Sequence, residues 1–339
     1  MHTVHCLILT ATLAQTPPQT AGPAQRGVPP AARETSPRLS GTAFSMEALQ
    51  RQVMLDRAGF SPGVIDGRGG PNTAKAFAAF QRQGATAGPP ADPISRYVIS
   101  PEDTAGPFLP IPEDMIEKSK LPALGYASLL EMLAERFHAS PALLQQMNPG
   151  VELIAGQALQ VPNVEPMLVP VASPPKAPAS PAAPAARSAG APEPAQAPPP
   201  TRPDVVITVS KATRAMTVTS AEGATVFYAP VTTGSEHDPL PIGEWKVNGA
   251  QRNPTFHYNP ALFWDSDPEH AKAKIPGGPN NPVGLVWIDI SKEHYGLHGT
   301  PEPRTIGRTE SHGCVRLTNW DALRLAALVK PGTRVVFTE

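Results

Sequence analysis

The sequence predicts a multidomain chain: a small all-α N-terminal domain, a small α+β module and a mainly-β C-terminal domain. Three observations predict it. Pro supplies 44 of 339 residues, well above an average of about 5%, and most of it falls in tracts that punctuate the chain. Apolar residues in the first half recur at helical spacing. From Asp204 onward they alternate as in strands.

Composition excludes some functions. Charged residues are 17% and the formal net charge is −1. No Lys/Arg cluster offers the footprint of a nucleic-acid or acidic-membrane partner.

Residues 1–14 read as an export signal. The apolar stretch 4–14 is too short to span a bilayer, and Thr12-Leu13-Ala14 supplies small residues at a cleavage-like spacing. Its leading part carries His2 and His5 rather than Lys or Arg. Residues 15–43, rich in Pro, Ala, Thr and Gln, are expected to be disordered. The mature chain would then hold one thiol, Cys314, because Cys6 would leave with the signal.

Residues 44–85 form the predicted helical domain. Leu49, Val53 and Ala58 follow helical spacing, Gly59-Phe60-Ser61-Pro62-Gly63 turns the chain, and Pro71-Asn72-Thr73 opens a second helix with Ala76, Phe77 and Phe80 on its apolar face. In 121–163, Leu129, Leu133, Ala134 and Phe137 form an amphipathic stripe. Ser140-Pro141 caps the next helix, Asn148-Pro149-Gly150 stops it, and 156–162 reads as a strand. Residues 164–203 are mostly Pro and Ala. At ~3.1 Å per residue such a linker could reach on the order of 120 Å, which suits a catalytic head that moves while other modules stay docked. Residues 204–339 carry alternating runs around Val205, Met216, Trp245, Val286 and Val335. One helix, capped by Thr318 or Asn319, follows the most informative segment.

That segment is Gly296-Leu297-His298-Gly299-Thr300, then Ser311-His312-Gly313-Cys314-Val315-Arg316. A free thiol is only a few per cent ionised at pH 7, and a neighbouring imidazole can take its proton to form an ion pair that lowers the thiol pKa. His298 and His312 are the two candidates. Gly313 permits close backbone approach. The Cys314 amide with a neighbour could hold an oxyanion. Arg316 could meet a substrate carboxylate or the local backbone. Zinc binding by His298, His312 and Cys314 lacks a fourth ligand. A purely structural cysteine would sit in an apolar run. A papain-like arrangement would place the histidine after the cysteine.

These residues resemble the signature of the L,D-transpeptidase (YkuD-type) catalytic domain: His298-Gly299-Thr300, then Ser311 to Arg316. Pro230-Val231-Thr232-Thr233-Gly234, Pro241-Ile242-Gly243-Glu244-Trp245 and Asn281-Pro282-Val283-Gly284 extend the resemblance, with Ile242 where the family usually has Thr. The resemblance implies that Cys314 is the nucleophile and His298 the base, oriented by the Gly299 carbonyl. Ser311 and His312 would support the loop. Gly313 and Cys314 amides would bind the oxyanion, and Arg316 the substrate carboxylate. It implies no metal or organic cofactor, and a periplasmic or cell-envelope location. Leu49-Gln50, Gly59-Phe60, Val64-Ile65-Asp66-Gly67, Thr73 and Phe80-Gln81 resemble a peptidoglycan-binding repeat. The segment 121–163 resembles a LysM module, with Gly125-Tyr126-Ala127-Ser128-Leu129 in place of the usual opening. The implied partners are peptidoglycan stem peptides, with glycan strands for the small modules, and no nucleic acid. The acceptor stays open between a stem peptide, a wall-attached protein and water. The alternatives are an L,D-carboxypeptidase and a wall-binding protein with an inactive catalytic remnant.

Overall fold

A computed structural model describes residues 43–84, 92–168, 203–264, 266–267 and 269–339. The expected signal (1–14), nearly all of the expected disordered stretch (15–43) and 169–202 of the expected linker lie outside them. The described residues, 43 onward, fall in one compact unit.

Two helices open it. In α1 (Met46–Arg57) the Ser45 side chain accepts from the Ala48 amide, and α2 (Pro71–Arg82) begins on a proline, where a missing N–H costs nothing. Buried Gln52 holds the connecting loop: its Oε1 accepts from the amides of Asp66 and Gly67 at 3.1 and 2.9 Å.

The middle segment carries a strand that the sequence reading missed. β1 (Ile94–Val98) pairs antiparallel with β2 (Ala158–Pro162). Between them lie α3 (Pro101–Thr104), α4 (Met115–Ser119), α5 (Leu129–Arg136) and α6 (Pro141–Met147). The predicted start at 121 therefore omits half of the two-stranded sheet. Ile94-Ser95-Arg96-Tyr97-Val98 shows only a short alternation, and a long insertion separates it from its partner. Ser128 and Ser140 cap α5 and α6, as expected for Ser140.

The C-terminal part is mainly β. Its strands are β3 (Val205–Ser210), β4 (Ala215–Ser220), β5 (Thr225–Pro230), β6 (Gly243–Arg252), β7 (Phe256–Tyr258), β8 (Ala273–Ile275), β9 (Val286–Ile290), β10 (Gly296–His298), β11 (Val315–Arg316) and β12 (Arg334–Thr338), with α7 (Asn319–Leu328) after β11. β7 and β8 form a separate hairpin. The rest make an eight-stranded sheet in the order β11-β10-β9-β6-β12-β3-β4-β5. The sheet curls until its ends meet: Thr232, just past β5, exchanges backbone hydrogen bonds with Arg316 at 3.1 and 2.9 Å. Closure of this kind satisfies two edges at once. The core collects the alternating Val205, Ile207, Val209, Val286, Ile288, Val335 and Phe337 against Trp320, Leu325 and Ala326 of α7.

The expectation of a catalytic head that roams apart from its modules is corrected by these contacts. Residues 59–61 bond to the β5 edge through Ser61 N to Tyr228 O (2.8 Å) and Tyr228 N to Gly59 O (2.9 Å). Ser61 Oγ donates to Asp321 of α7 at 2.8 Å. Ile65 exchanges backbone bonds with His138 and Ser140 of the middle segment. The Gly-Phe turn and the Ile65 loop are thus consumed in joining the parts. Apolar packing agrees, since Leu49, Val53 and Ile65 share a core with Leu133, Phe137 and Val161.

Candidate functional site

β10 lies between β9, antiparallel, and β11, parallel. Leu297 and Val315 are paired and buried in the core. Side chains alternate along a strand, so His298 and its partner Arg316 project to the opposite face. Cys314, one step before β11, continues that face beside Gly296. The register thus makes His298 and Cys314 diagonal neighbours. Trp287 of β9 pairs with His298 and stacks on its ring at 5.5 Å between centroids and 20° between planes.

Nδ1 of His298 donates to the Gly299 carbonyl at 2.7 Å. A carbonyl can only accept, so the proton sits on Nδ1 and Nε2 keeps its lone pair. Burial, with the Arg316 guanidinium nearby, pushes the imidazole down to about 3. Burial also pushes the Cys314 thiol up to about 11, against the opposing influence of the Gly296 amide and the Arg316 guanidinium. Both shifts run against the expected thiolate–imidazolium ion pair and favour a neutral thiol beside a neutral imidazole, since desolvation disfavours both charged forms.

The loop before β11 is tightly held. Ser311 exchanges backbone bonds with Thr233 and Ser235, and its Oγ donates to the Cys314 carbonyl at 2.6 Å. Gly313 has φ +99°, and a Cβ there would lie 2.5 Å from the Tyr295 ring. Only glycine suits that conformation beside that ring. Among the described residues no backbone carbonyl engages the amides of Gly313 and Cys314. They are the two backbone donors that the nucleophile's own loop offers beside the thiol. The Cys314 thiol contacts the His294 carbonyl at 3.7 Å.

His312, the second histidine in the sequence reading, meets aromatic rings instead: Phe263 at 5.1 Å and Trp264 at 5.9 Å. Trp264 is 61% exposed and lies in the β7–β8 connection, which borders the site. No three His, Cys, Asp or Glu side chains converge as metal ligands among the described residues.

Sequence reasoning missed Trp287, Tyr295, Trp264 and Asn319. Alternation with Val286 and Ile288 already places Trp287 on the face away from the core. Tyr295 and Trp264 are brought in by loops whose approach no local pattern encodes, and Asn319 by the start of α7, whose packing against 277–285 the helix pattern does not encode. Asn319 lies behind His298. Its Oδ1 accepts from the Leu285 amide at 2.9 Å and occupies the space where a Cβ on Gly299 or Gly284 would sit, 2.1 and 2.0 Å away.

The chain is similar to known proteins of one family. The YkuD family model, described as the L,D-transpeptidase catalytic domain, matches residues 204–337. The Bacillus subtilis protein YkuD, which bears the name of an L,D-transpeptidase, is 29% identical over 209 residues, 61% of this chain and 91% of that protein. YqjB of the same organism, named likewise, is 30% identical over 142 residues, 40% of this chain and 72% of its own length. YbiS of Escherichia coli, also so named, is 36% identical over 119 residues, but only 38% of its length is matched. Among solved structures, L,D-transpeptidase 3 from Mycobacterium tuberculosis is 21% identical, with 40% of this chain and 61% of that one covered. Its TM-score is 0.34, too low to carry a fold comparison.

Proposed function

The chain belongs to the L,D-transpeptidase family, and we propose that it exchanges acyl groups on peptidoglycan stem peptides through a thioester on Cys314. The observation that carries this reading is the β10–β11 register, which pairs His298 with Arg316 and so makes Cys314 its diagonal neighbour on one face, with Nδ1 of His298 held by the Gly299 carbonyl.

The chemistry follows from the neutral pair. As the thiol attacks the carbonyl of the third stem residue, its proton passes to Nε2 of His298. The carbonyl electrons move onto oxygen, where the Gly313 and Cys314 amides donate; one such donor is worth about 3 kcal/mol in other enzymes. Collapse of the intermediate breaks the amide bond. His298 returns the proton to the departing amine of the terminal D-Ala, leaving a thioester. An acceptor amine then attacks the thioester, and the same imidazole carries the proton in reverse. Arg316, on the same face, is the cation for a substrate carboxylate. Ser311 fixes the loop. His312 supports it through the aromatic rings of Phe263 and Trp264. No step calls for a metal or an organic cofactor. The function places the protein in the cell envelope, and the two N-terminal modules as candidate binders of wall polymer.

The test is digestion of purified tetrapeptide wall fragments, with products weighed. Cross-linked or amine-exchanged products that vanish with Cys314→Ala are expected. Tripeptide and free D-Ala alone would replace this reading with an L,D-carboxypeptidase. Identical products with wild type and variant would leave a wall-binding protein with an inert catalytic domain.

A further inference from the structure

The middle segment reaches the back of the candidate site through one buried side chain. Glu135, near the end of α5 and 8% exposed, accepts from Nδ2 of Asn319 at 2.8 Å. Asn319 is fully buried. Its second Nδ2 hydrogen faces the Pro279 carbonyl at 3.2 Å, and its Oδ1 takes the Leu285 amide. Acceptors on one end and a donor on the other fix the orientation of the amide. That amide lies against Gly299, the residue whose carbonyl holds Nδ1 of His298. The chain of contacts is therefore Glu135, Asn319, Gly299, His298.

Neighbouring contacts make the attachment rigid. Asn280 Nδ2 faces the Gly125 carbonyl and Glu131 Oε1, both at 2.8 Å. Leu124 exchanges backbone bonds with the same loop, at Gly277 O (2.9 Å) and Asn280 N (3.1 Å). Residues 124–135 thus grip 277–285, the loop that leads into Leu285 and the glycine cradle.

We propose that Glu135 is a positioning residue for the chemistry at Cys314: by anchoring Asn319 it fixes the Gly299 turn and so the tautomer and aim of His298. This rests on the nucleophile and base assignment above. The middle module then acts as a part of the catalytic apparatus, whatever else it binds. The loss of its acceptor leaves a buried Asn319 donor unpaired, which frees the amide to rotate and the turn to shift. A displacement of about 1 Å at a reacting group can cost on the order of 100-fold in rate.

The experiment uses the full chain and reads acylation of Cys314 by a carbapenem, as mass gain with time, per titrated thiol in the folded fraction. Glu135→Ala and Glu135→Met are compared with Glu135→Gln, which keeps an acceptor oxygen. Asp103→Asn is the control. It disturbs an ion pair with Arg136 in the same module without touching Asn319. The expected result is a fall of about tenfold or more in maximal rate for Ala and Met, with little change in half-saturating concentration, retention of at least half the rate by Gln, and no loss for Asp103→Asn. Histidine-selective ¹⁵N NMR supplies a second readout: Nδ1-protonated His298 in wild type and Gln, a tautomer mixture in Ala and Met. Equal rates and tautomers across all Glu135 variants would overturn the proposal, as would an equal rate loss in Asp103→Asn. A wild-type protein that forms no adduct would instead overturn the function proposed above.

Discussion

Asp56 of α1 and Arg324 of α7 form a two-point ion pair, at 2.8 and 3.1 Å, between the first helix and the last. Asp56 is fully buried, and its Oδ2 also meets Nδ1 of His138 at 3.0 Å. The His138 ring stacks on Trp320 at 5.2 Å. One carboxylate therefore ties together the N-terminal hairpin, the middle segment and the C-terminal part.

Asp56→Ala should destabilise the whole described unit. Removing one partner of a buried pair costs about 3–5 kcal/mol. Arg324 keeps 26% exposure and can rehydrate in part, so the expected loss is about 3 kcal/mol, at the low end. A single urea transition that shifts as a whole would show it. Loss confined to an early, separate transition of the helices would mean that the three parts fold independently.

Stability should peak at mildly acidic pH. Burial tends to raise the Asp56 carboxyl, but His138 and Arg324 together hold it well below the usual range. Its contribution is present above about pH 4, the unfolded value, and fades as pH falls below it. Burial pushes Glu135 up to about 7 and Asp321 up to about 6. Between about pH 4 and those values these two carboxyls keep protons in the fold that the unfolded chain has lost, so they lower stability as pH rises; His298, held down to about 3, works the other way up to about pH 6.5, and one group against two leaves a net decline. Urea midpoints from pH 3 to 8 should rise and then decline, and Glu135→Gln should flatten the alkaline decline.

Alkylation of Cys314 should report a neutral thiol. With the thiol pushed up to about 11, the rate with iodoacetamide should climb about tenfold per pH unit from 7 to 10, following the thiolate fraction. A rate already level at pH 7 would reveal a preformed ion pair and contradict the neutral-pair mechanism.

Gly313→Ala should cost about 1–3 kcal/mol in stability through its positive φ and slow acylation far more. The new Cβ must displace the Tyr295 ring, 2.5 Å away. A rise in activity on pairing it with Tyr295→Ala would separate the ring clash from the backbone strain.

Local chemistry made much of this protein legible from its sequence. Val205, Ile207 and Val209 alternate because one side of the strand is core. Ser140-Pro141 and Thr318 mark helix starts because capping is a contact within three residues. The run from Ser311 to Arg316 announced itself, since a thiol, an imidazole and a glycine so close together have few structural uses. What only tertiary structure brings is the desolvation that pushes that thiol up, against the opposing influence of Arg316. It also decided which histidine shares its face, through a strand register between β10 and β11. Nor could Pro-rich spacing foretell that Asp56 would reach Arg324 or that Glu135 would stand behind His298. Such contacts join residues far apart in the chain, and their energy depends on a shared dry interior that exists only once the parts have packed.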